Sequence, residues 1–419
     1  MEQATDTRSR STFSSLRNRD FRYLWAGTCF LSGGHWLQQL TVGWACYEMT
    51  RSSILLGAIN GLRFVPFLIF SPLAGVAADR SDRRRMMITT QWFVLATALG
   101  MALVAHLEWL EVWHLFAFTL ATGTVWSFSE PVRQALIPDI VPRAELMNAV
   151  ALNSAAFNFT KIIGPSVGGG LIAFFALYGN FSVQLAGNFY VQSATYLFVL
   201  WVIYRMRVPE RVLEASRTSV LSNLREGIRY VWSDPVVFAV MATAMVPRLF
   251  AMPYQALLPV FQKDVLQVGP DGLGLMMAAP GLGAMVAMLC VAHFANRVDR
   301  PGLLMIAGLV FQGAFLILFS LMRTLRLSLL TLGIVGGFQV MFMSVSNMVL
   351  HMTVPDRLRG RVMSIYMLDR GITPAGAMLA GISAHFIGAP HTVLAMGVLV
   401  LVLAAVVVAF MPSLRKVRA

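Results

Sequence analysis

Apolar residues run along this chain in long uninterrupted stretches, not in the alternation of a half-buried strand or the single stripe of a surface helix. Twelve stretches approach the length of about 20 residues that crosses a bilayer. They cover 24–48, 54–78, 86–107, 112–137, 146–176, 184–205, 236–262, 272–295, 302–322, 328–353, 362–385 and 392–411. They fall six and six about a polar stretch, 206–235, the longest connection in the chain. Inside it Leu221, Leu224, Ile228 and Val231 recur at helical spacing, which predicts a short amphipathic helix on the membrane surface. The expected organisation is a polar segment 1–23, a six-helix half 24–205, the linker 206–235, a second half 236–411 and a basic tail 412–419.

A charged patch between the second and third stretches carries a repeat. Gly75-Val-Ala-Ala-Asp79-Arg80-Ser-Asp82-Arg83-Arg84-Arg85 is echoed by His293-Phe-Ala-Asn296-Arg297-Val-Asp299-Arg300, and Asn296 follows Asp79 by 217 positions. Val141-Pro142 returns as Val354-Pro355 after 213. A membrane chain built from two similar halves has the architecture of a secondary transporter. The fold expected is all-α and integral to the membrane: twelve transmembrane helices in two pseudo-symmetric six-helix halves with a central cavity.

Composition and charge sharpen this reading. Hydrophobic residues make up 57% and charged residues 13%, half the charged share of an ordinary soluble domain. The net charge of +13 raises the question of nucleic acid, and its distribution answers it. If the spans alternate, 24 of the 33 Lys and Arg lie on the side of the N-terminus, four (Arg51, Lys263, Arg323, Arg326) on the other, and five inside spans. Such a bias marks the cytoplasmic side, so both termini are expected in the cytoplasm and the membrane is expected to be a bacterial inner membrane. The first twenty residues lack the apolar run and cleavage site of a signal peptide. Cys29, Cys46 and Cys290 fall inside spans without ligand spacing, so neither a disulfide framework nor a metal site is expected. None of the three lysines follows a glycine or precedes Ser or Thr, so no phosphate-cradling loop of that type is present. Neither an enzyme nor a bound cofactor is expected.

These motifs resemble the major facilitator superfamily. Gly75 to Arg85 is similar to its signature loop between spans two and three, and Gly164-Pro165-Ser166-Val167-Gly168-Gly169 to its antiporter element in span five. Three further segments resemble the drug:proton antiporter branch that includes macrolide-efflux proteins and the enterobactin exporter. They are Leu16-Arg17-Asn18-Arg19-Asp20-Phe21-Arg22, Val132-Arg133-Gln134-Ala135-Leu136-Ile137-Pro138-Asp139, and Val354-Pro355-Asp356-Arg357-Leu358-Arg359-Gly360-Arg361-Val362-Met363-Ser364. The resemblance implies a cytoplasmic latch in which Asp79 faces the start of span eleven, near Arg359 and Arg361. Gly75 would let helices approach, and Arg80, Arg83 and Arg84 would pair across the seam with Asp139 or Glu145. Asp82 departs from the family's glycine, and Asn296 replaces Asp79 in the second copy, so the two halves should latch unequally. Gly164-Pro165 predicts a kink, with Gly168 and Gly169 offering a smooth packing face.

Charges inside spans are the best clue to cargo, because each is costly unless paired or wet. At about 1.5 Å per residue, His35, Arg63, Lys161 and Arg248 sit roughly 15–22 Å into their spans, near the midplane. No carboxylate shares that depth; Glu130 and Asp369 lie nearer the cytoplasmic end. A basic cavity suits an anionic amphipathic cargo such as a catecholate, a carboxylate or a lipid phosphate. Trp36, Trp44, Phe64, Trp92, Trp126, Phe157 and Phe250 are aromatic candidates for its wall, though lipid contact explains such residues equally well. His35 stands where many members of the resembling branch carry aspartate, and with an ordinary pKa near 6.5 histidine is a natural proton carrier. The expected function is export of a small molecule by alternating access coupled to proton influx through His35, Asp369 and Glu130, with the chain working as a monomer. A lipid or lysolipid flippase would use the same cavity with a lateral opening, and a non-transporting membrane receptor or scaffold would survive loss of its charges.

Overall fold

Helix follows helix through nearly the whole of the chain in the computed structural model, which describes residues 13–63, 65, 66, 69, 70, 82–207, 220–294, 300–368 and 372–415. Gly75, Asp79 and Arg80 of the expected latch, Phe64, Asn296, Asp369 and residues 208–219 of the linker lie outside the described residues. The helices are α1 Arg19–Thr50, α2 Ser53–Leu62, α3 Arg83–His106, α4 Val112–Ile140, α5 Leu146–Phe175 and α6 Phe181–Arg205. Then come α7 Val220–Ser233, α8 Pro235–Val265, α9 Pro270–Phe294, α10 Pro301–Leu321, α11 Leu325–Thr353, α12 Asp356–Leu368, α13 Thr373–Ile387 and α14 Ala389–Phe410. Six of them (α3, α8, most of α9, α10, α11 and α14) are long and apolar enough to cross a membrane, counted among the described residues. α1, α4, α5 and α6 are as long. The outer faces of α9 and α14 expose residues such as Val286, Leu289, Val402 and Phe410, an apolar surface that hydrocarbon tolerates and water does not.

Polar residues mark where helices begin. The Asn18 side chain accepts from the Asp20 and Phe21 amides and donates to Ile140 O at 3.0 Å, which fixes the start of α1 against the end of α4. Asp82 accepts from the amides of Arg84 and Arg85 and so opens α3. A carboxylate cap of this kind is worth about 0.5–2 kcal/mol, a local reason for aspartate where the resembling family carries glycine. Asp234 caps α8 in the same way, ahead of Pro235 at the first helical position. α8 is not regular throughout: it passes through a wide π turn at Pro247–Ala251 and another at Phe261–Val265. α5 stays one helix through Pro165, and α4 through Pro131 and Pro138.

The glycines of the antiporter element serve close approach. A side chain on Gly164 would collide with Trp36 Cβ at 2.7 Å and Gly33 O at 3.0 Å of α1, and one on Gly168 would press on Leu37. Gly169 meets α9, where a Cβ would strike Pro270 O and lie 3.0 Å from Gly274 Cα. A matching contact joins α2 to α13, where a Cβ on Gly57 would lie 2.8 Å from Ala377 O and 3.0 Å from Gly381 Cα. Gly274 follows Gly57 by 217 positions and Gly381 follows Gly169 by 212, close to the offsets of the sequence repeat. Both contacts lie at the far end of the bundle, opposite the end that holds the start of α1, as do residues 47–51 and 263–264.

At that far end α1 meets α8. Tyr47 OH donates to Asp264, Lys263 Nζ pairs with Glu48 at 2.9 Å, and Arg51 reaches Asp264 at 3.4 Å and Glu48 at 3.7 Å. The pairs bridging α1 and α8 are separated by 217, 215 and 213 positions. Equivalent elements related by a two-fold axis meet on that axis, so partners one repeat apart are what such symmetry requires. The far end is therefore shut by two pairs of close-packed helices and a charged clasp.

Candidate functional site

α1 touches α2, α4, α5, α6, α8 and α9, so a partly exposed residue halfway along it faces an internal space. His35 and Trp36 are two such residues. The His35 ring lies 4.1 Å from that of Trp126 on α4, and Arg63 at the end of α2 and Arg133 on α4 are near enough to act on it electrostatically. Lys161 of α5 places its ammonium over the Trp36 ring, 5.6 Å from the centroid, and Phe157 lies 6.0 Å from that ring. A cation over tryptophan gains about 0.5–2 kcal/mol and remains available to an anion. The sequence candidates His35, Trp36, Arg63 and Lys161, with Trp126 and Phe157, are thus brought together. Arg248 lies on the π turn of α8, 7% exposed. Trp92 is exposed on the outer face, where its Nε1 donates to Tyr204 OH at 3.2 Å, and Trp44 packs with Phe181 at the far end.

Access to this cluster comes from the end that holds the start of α1. Met147, Ala151, Ser154 and Asn158 are exposed, and with Lys161 they fall on one face of α5 at spacings of four, three, four and three residues. That face leads from the open end to the ammonium.

Arg133 and the glutamines beside the cluster had no site role assigned to them from sequence. Arg133 is 2% exposed and forms an ion pair with Glu130 one turn earlier, while Gln134 donates to the other Glu130 oxygen at 3.0 Å. Its Nε and Nη1 find no partner among the described residues. The i, i+3 spacing of Glu130 and Arg133 was the available signal. Beneath the cluster, Gln38 donates to Thr122 at 2.9 Å and accepts from Gln192 at 3.0 Å, while Gln192 also donates to Tyr196 OH at 2.9 Å. This network ties α1, α4 and α6; glutamines inside apolar spans were its trace in the sequence. Trp36 Nε1 and His35 Nδ1 are buried without hydrogen-bond partners among the described residues.

Of the remaining latch residues, Arg83 and Asp139 take each other, as expected, while Arg359 and Arg361 take other partners. Arg83 pairs with Asp139 and donates to Ala135 O at 2.8 Å, joining α3 to α4 within the first half of the chain and not across the seam. Arg361 pairs with Glu226 of the linker helix α7, and Arg359 Nη2 donates to His351 O at 3.2 Å. The physical reason is reach: α7 packs directly on α12, where a Cβ on Gly227 would meet Ile365 at 2.7 Å.

The long apolar helices, the glycine-sealed far end and the open basic cluster define a membrane transporter. Comparison with known proteins names its kind. The transmembrane secretion effector family matches residues 10–419. The Staphyloferrin A transporter of Staphylococcus aureus is 24% identical over 90% of this chain and 92% of its own. The multidrug efflux pump Tap of Mycolicibacterium fortuitum is 26% identical over 89% and 91%. The enterobactin exporter EntS of Escherichia coli is 26% identical over 78% and 75%. Among solved structures, an inward-facing bacterial homologue of the human lysosomal transporter Spinster superposes with a TM-score of 0.74 at 15% identity, covering 96% of this chain and 99% of that one. A D-xylose–proton symporter gives 0.72 at 14% identity, covering 94% and 98%. The chain belongs to the transmembrane secretion effectors of the major facilitator superfamily. It is a transporter and not an enzyme.

Proposed function

We propose that this chain exports a negatively charged amphipathic small molecule from the cytoplasm across a bacterial inner membrane by alternating access. Twelve spans in two six-helix halves would rock about the central cluster, with both termini in the cytoplasm, the linker 206–235 between the halves and one chain sufficing. Arg63, Arg133 and Lys161 would bind the charged part of the cargo, and Trp36, Trp126 and Phe157 its apolar part. Arg248 would join them from the second half as the cavity closes. Proton influx would be the coupled flow, with His35, Glu130 and Asp369 as carriers. The latch of Gly75, Asp79, Arg80, Arg359 and Arg361 would close the cytoplasmic end once cargo is loaded.

The observation that carries this reading is the basic cluster itself, open toward the arginine-rich end of the chain and sealed from the other. The names of three relatives, two siderophore transporters and a multidrug pump, agree with an amphipathic cargo. The test is purified protein in liposomes holding a pH-sensitive dye, screened with anionic and cationic amphiphiles under an imposed proton gradient. Proton flux triggered by anions and lost in Lys161→Ala supports the proposal. Flux triggered by cations alone overturns the charge of the cargo, and silence across the panel overturns proton coupling.

A further inference from the structure

A second cavity lies at the sealed far end, away from the central cluster. It is an open cleft of about 540 Å³ between α1, α6, α8 and the turn into α9, a volume in the range of small-molecule sites. Trp44 and Glu48 of α1, Phe181 and Gln184 of α6, and Lys263 and Gln267 line it.

The turn that forms its floor is built, not loose. The Gln262 side chain, 3% exposed, donates to Val268 O, and the Val268 amide donates back to Gln262 O at 3.0 Å. Between them Gln267 is held at φ 53°, a left-handed conformation that a residue with a side chain adopts at a cost of about 1–2 kcal/mol. Backbone strain persists where the surroundings over-determine it, and it clusters at ligand sites.

The wall is aromatic and rich in donors. Trp44 and Phe181 stack at a tilt, ring centroids 5.4 Å apart. The Trp44 Nε1–H is buried with no acceptor among the described residues. Glu48 spends one oxygen on Lys263 at 2.9 Å and faces Arg51 with the other at 3.7 Å, and it takes only one of the three donors of the ammonium. The carboxylate is thus engaged while N–H groups remain, and a guest suited to this wall carries a ring and a hydrogen-bond-accepting anion.

We propose that this cavity is a second binding site, taking an aromatic carboxylate from the far side of the membrane, and that its occupant holds the far end shut. The second half of the claim follows from the lining. A guest bridging α1 and α8 contacts both only while they are clasped, so it binds the closed arrangement and shifts the population toward it. The site itself does not depend on the transport reading; only its effect on flux does.

Dansylglycine, a naphthalene ring bearing a carboxylate, is the probe. With wild-type protein in nanodiscs its fluorescence should rise saturably above that of empty nanodiscs. Trp44→Phe keeps the ring and removes the N–H, and Gln184→Leu removes an amide at similar volume. Each should weaken binding two- to tenfold, the value of one hydrogen bond, with the fold retained. Lys161→Ala should leave in place the part of the dye signal that Trp44→Phe weakens. No saturable signal overturns the proposal, as does a signal sensitive to Lys161→Ala but not to Trp44→Phe, which places the dye in the central cluster. In sealed vesicles, dansylglycine on the far side should slow cargo export by wild type and slow Gln184→Leu less. Vesicles that export nothing would sink the transport reading while the nanodisc titration still decided this one.

Discussion

Replacing Glu130 by Gln tests the central cluster through its strongest internal competitor. Arg133 is 2% exposed and Glu130 supplies its counter-charge, so any anionic cargo that uses Arg133 must first displace that carboxylate. A hydrogen bond between charged partners contributes about 1.5–3 kcal/mol. The Glu130 side chain is 32% exposed, and solvent screening brings the estimate to the lower end of that range. Removing the competitor should therefore raise affinity for an anion by roughly tenfold, since 1.4 kcal/mol is a factor of ten. The same change leaves a buried guanidinium without its partner, which costs about 3 kcal/mol where burial is complete; a lower melting temperature should accompany the tighter binding.

The assay is equilibrium binding of a radiolabelled anionic cargo to protein in nanodiscs, for wild type, Glu130→Gln, Arg133→Gln and the double variant. The cycle isolates the pair, because each single change removes one side of it. The expected order of affinity is Glu130→Gln above wild type, with Arg133→Gln and the double variant equal and weakest. Unchanged or weaker anion binding in Glu130→Gln, with the fold intact, would refute the competition.

Gly169→Val and Gly57→Val should each cost the far-end-closed arrangement about 1–3 kcal/mol of overpacking, because their new atoms meet backbone and not a flexible side chain. A cysteine placed in the central cluster should then label faster from the far side, and equal labelling would show that these contacts are not the seal. Asp264→Asn removes one partner of the α1–α8 clasp, whose ion pair with Arg51 is half exposed and worth about 0.2–1 kcal/mol. Export should change by less than about fivefold, with a weaker dependence on salt than wild type, which salt titration of the export rate checks. Arg361→Gln breaks the pair with Glu226 that pins α7 to α12, and hydrogen exchange across Val220–Ser233 should accelerate while the rest of the chain keeps its protection.

Most of the helices were legible in the sequence because a bilayer imposes a coarse rule, long apolar runs, that needs no knowledge of partners. The amphipathic linker helix was read from Leu221, Leu224, Ile228 and Val231 and stands at Val220–Ser233. His35, Arg63 and Lys161 stood out as candidates because ionisable groups at mid-span are rare. What stayed hidden depended on neighbours. Asp82 looked like a departure from a family pattern and acts as a cap, a role fixed by the amides of Arg84 and Arg85. The pair of Arg361 with Glu226 was out of sight as well, since only the docking of α7 brings the two within reach. The far-end clasp joins Glu48 to Lys263 and Tyr47 to Asp264 across more than 200 positions; the repeat offset predicted symmetry, yet nothing in one chain says which symmetric positions touch.

The sign of the cluster's charge constrains its energetics. An anion and a proton placed together among Arg63, Arg133, Lys161 and His35 attract, so an anionic cargo does not expel a proton by electrostatics. Exchange of the two then requires that they occupy the site at different stages of the cycle, the anion leaving on the far side before the proton boards. Such a cycle moves charge. An anion leaving alone carries one charge through the membrane potential, worth about 2.3 kcal/mol per 100 mV, and sustains a gradient of roughly fiftyfold. An anion leaving against one entering proton carries two, which doubles the energy and sustains roughly 2,000-fold. Anion export together with a proton, or a monovalent cation leaving against one, carries none. Proteoliposomes clamped by valinomycin at equal pH on both sides separate these cases by the cargo ratio at steady state. A ratio near the larger figure is expected from proton-coupled export through this cluster. A ratio indifferent to the potential would refute the anionic exchange altogether, since no arrangement of carriers can hide a charge that crosses the membrane.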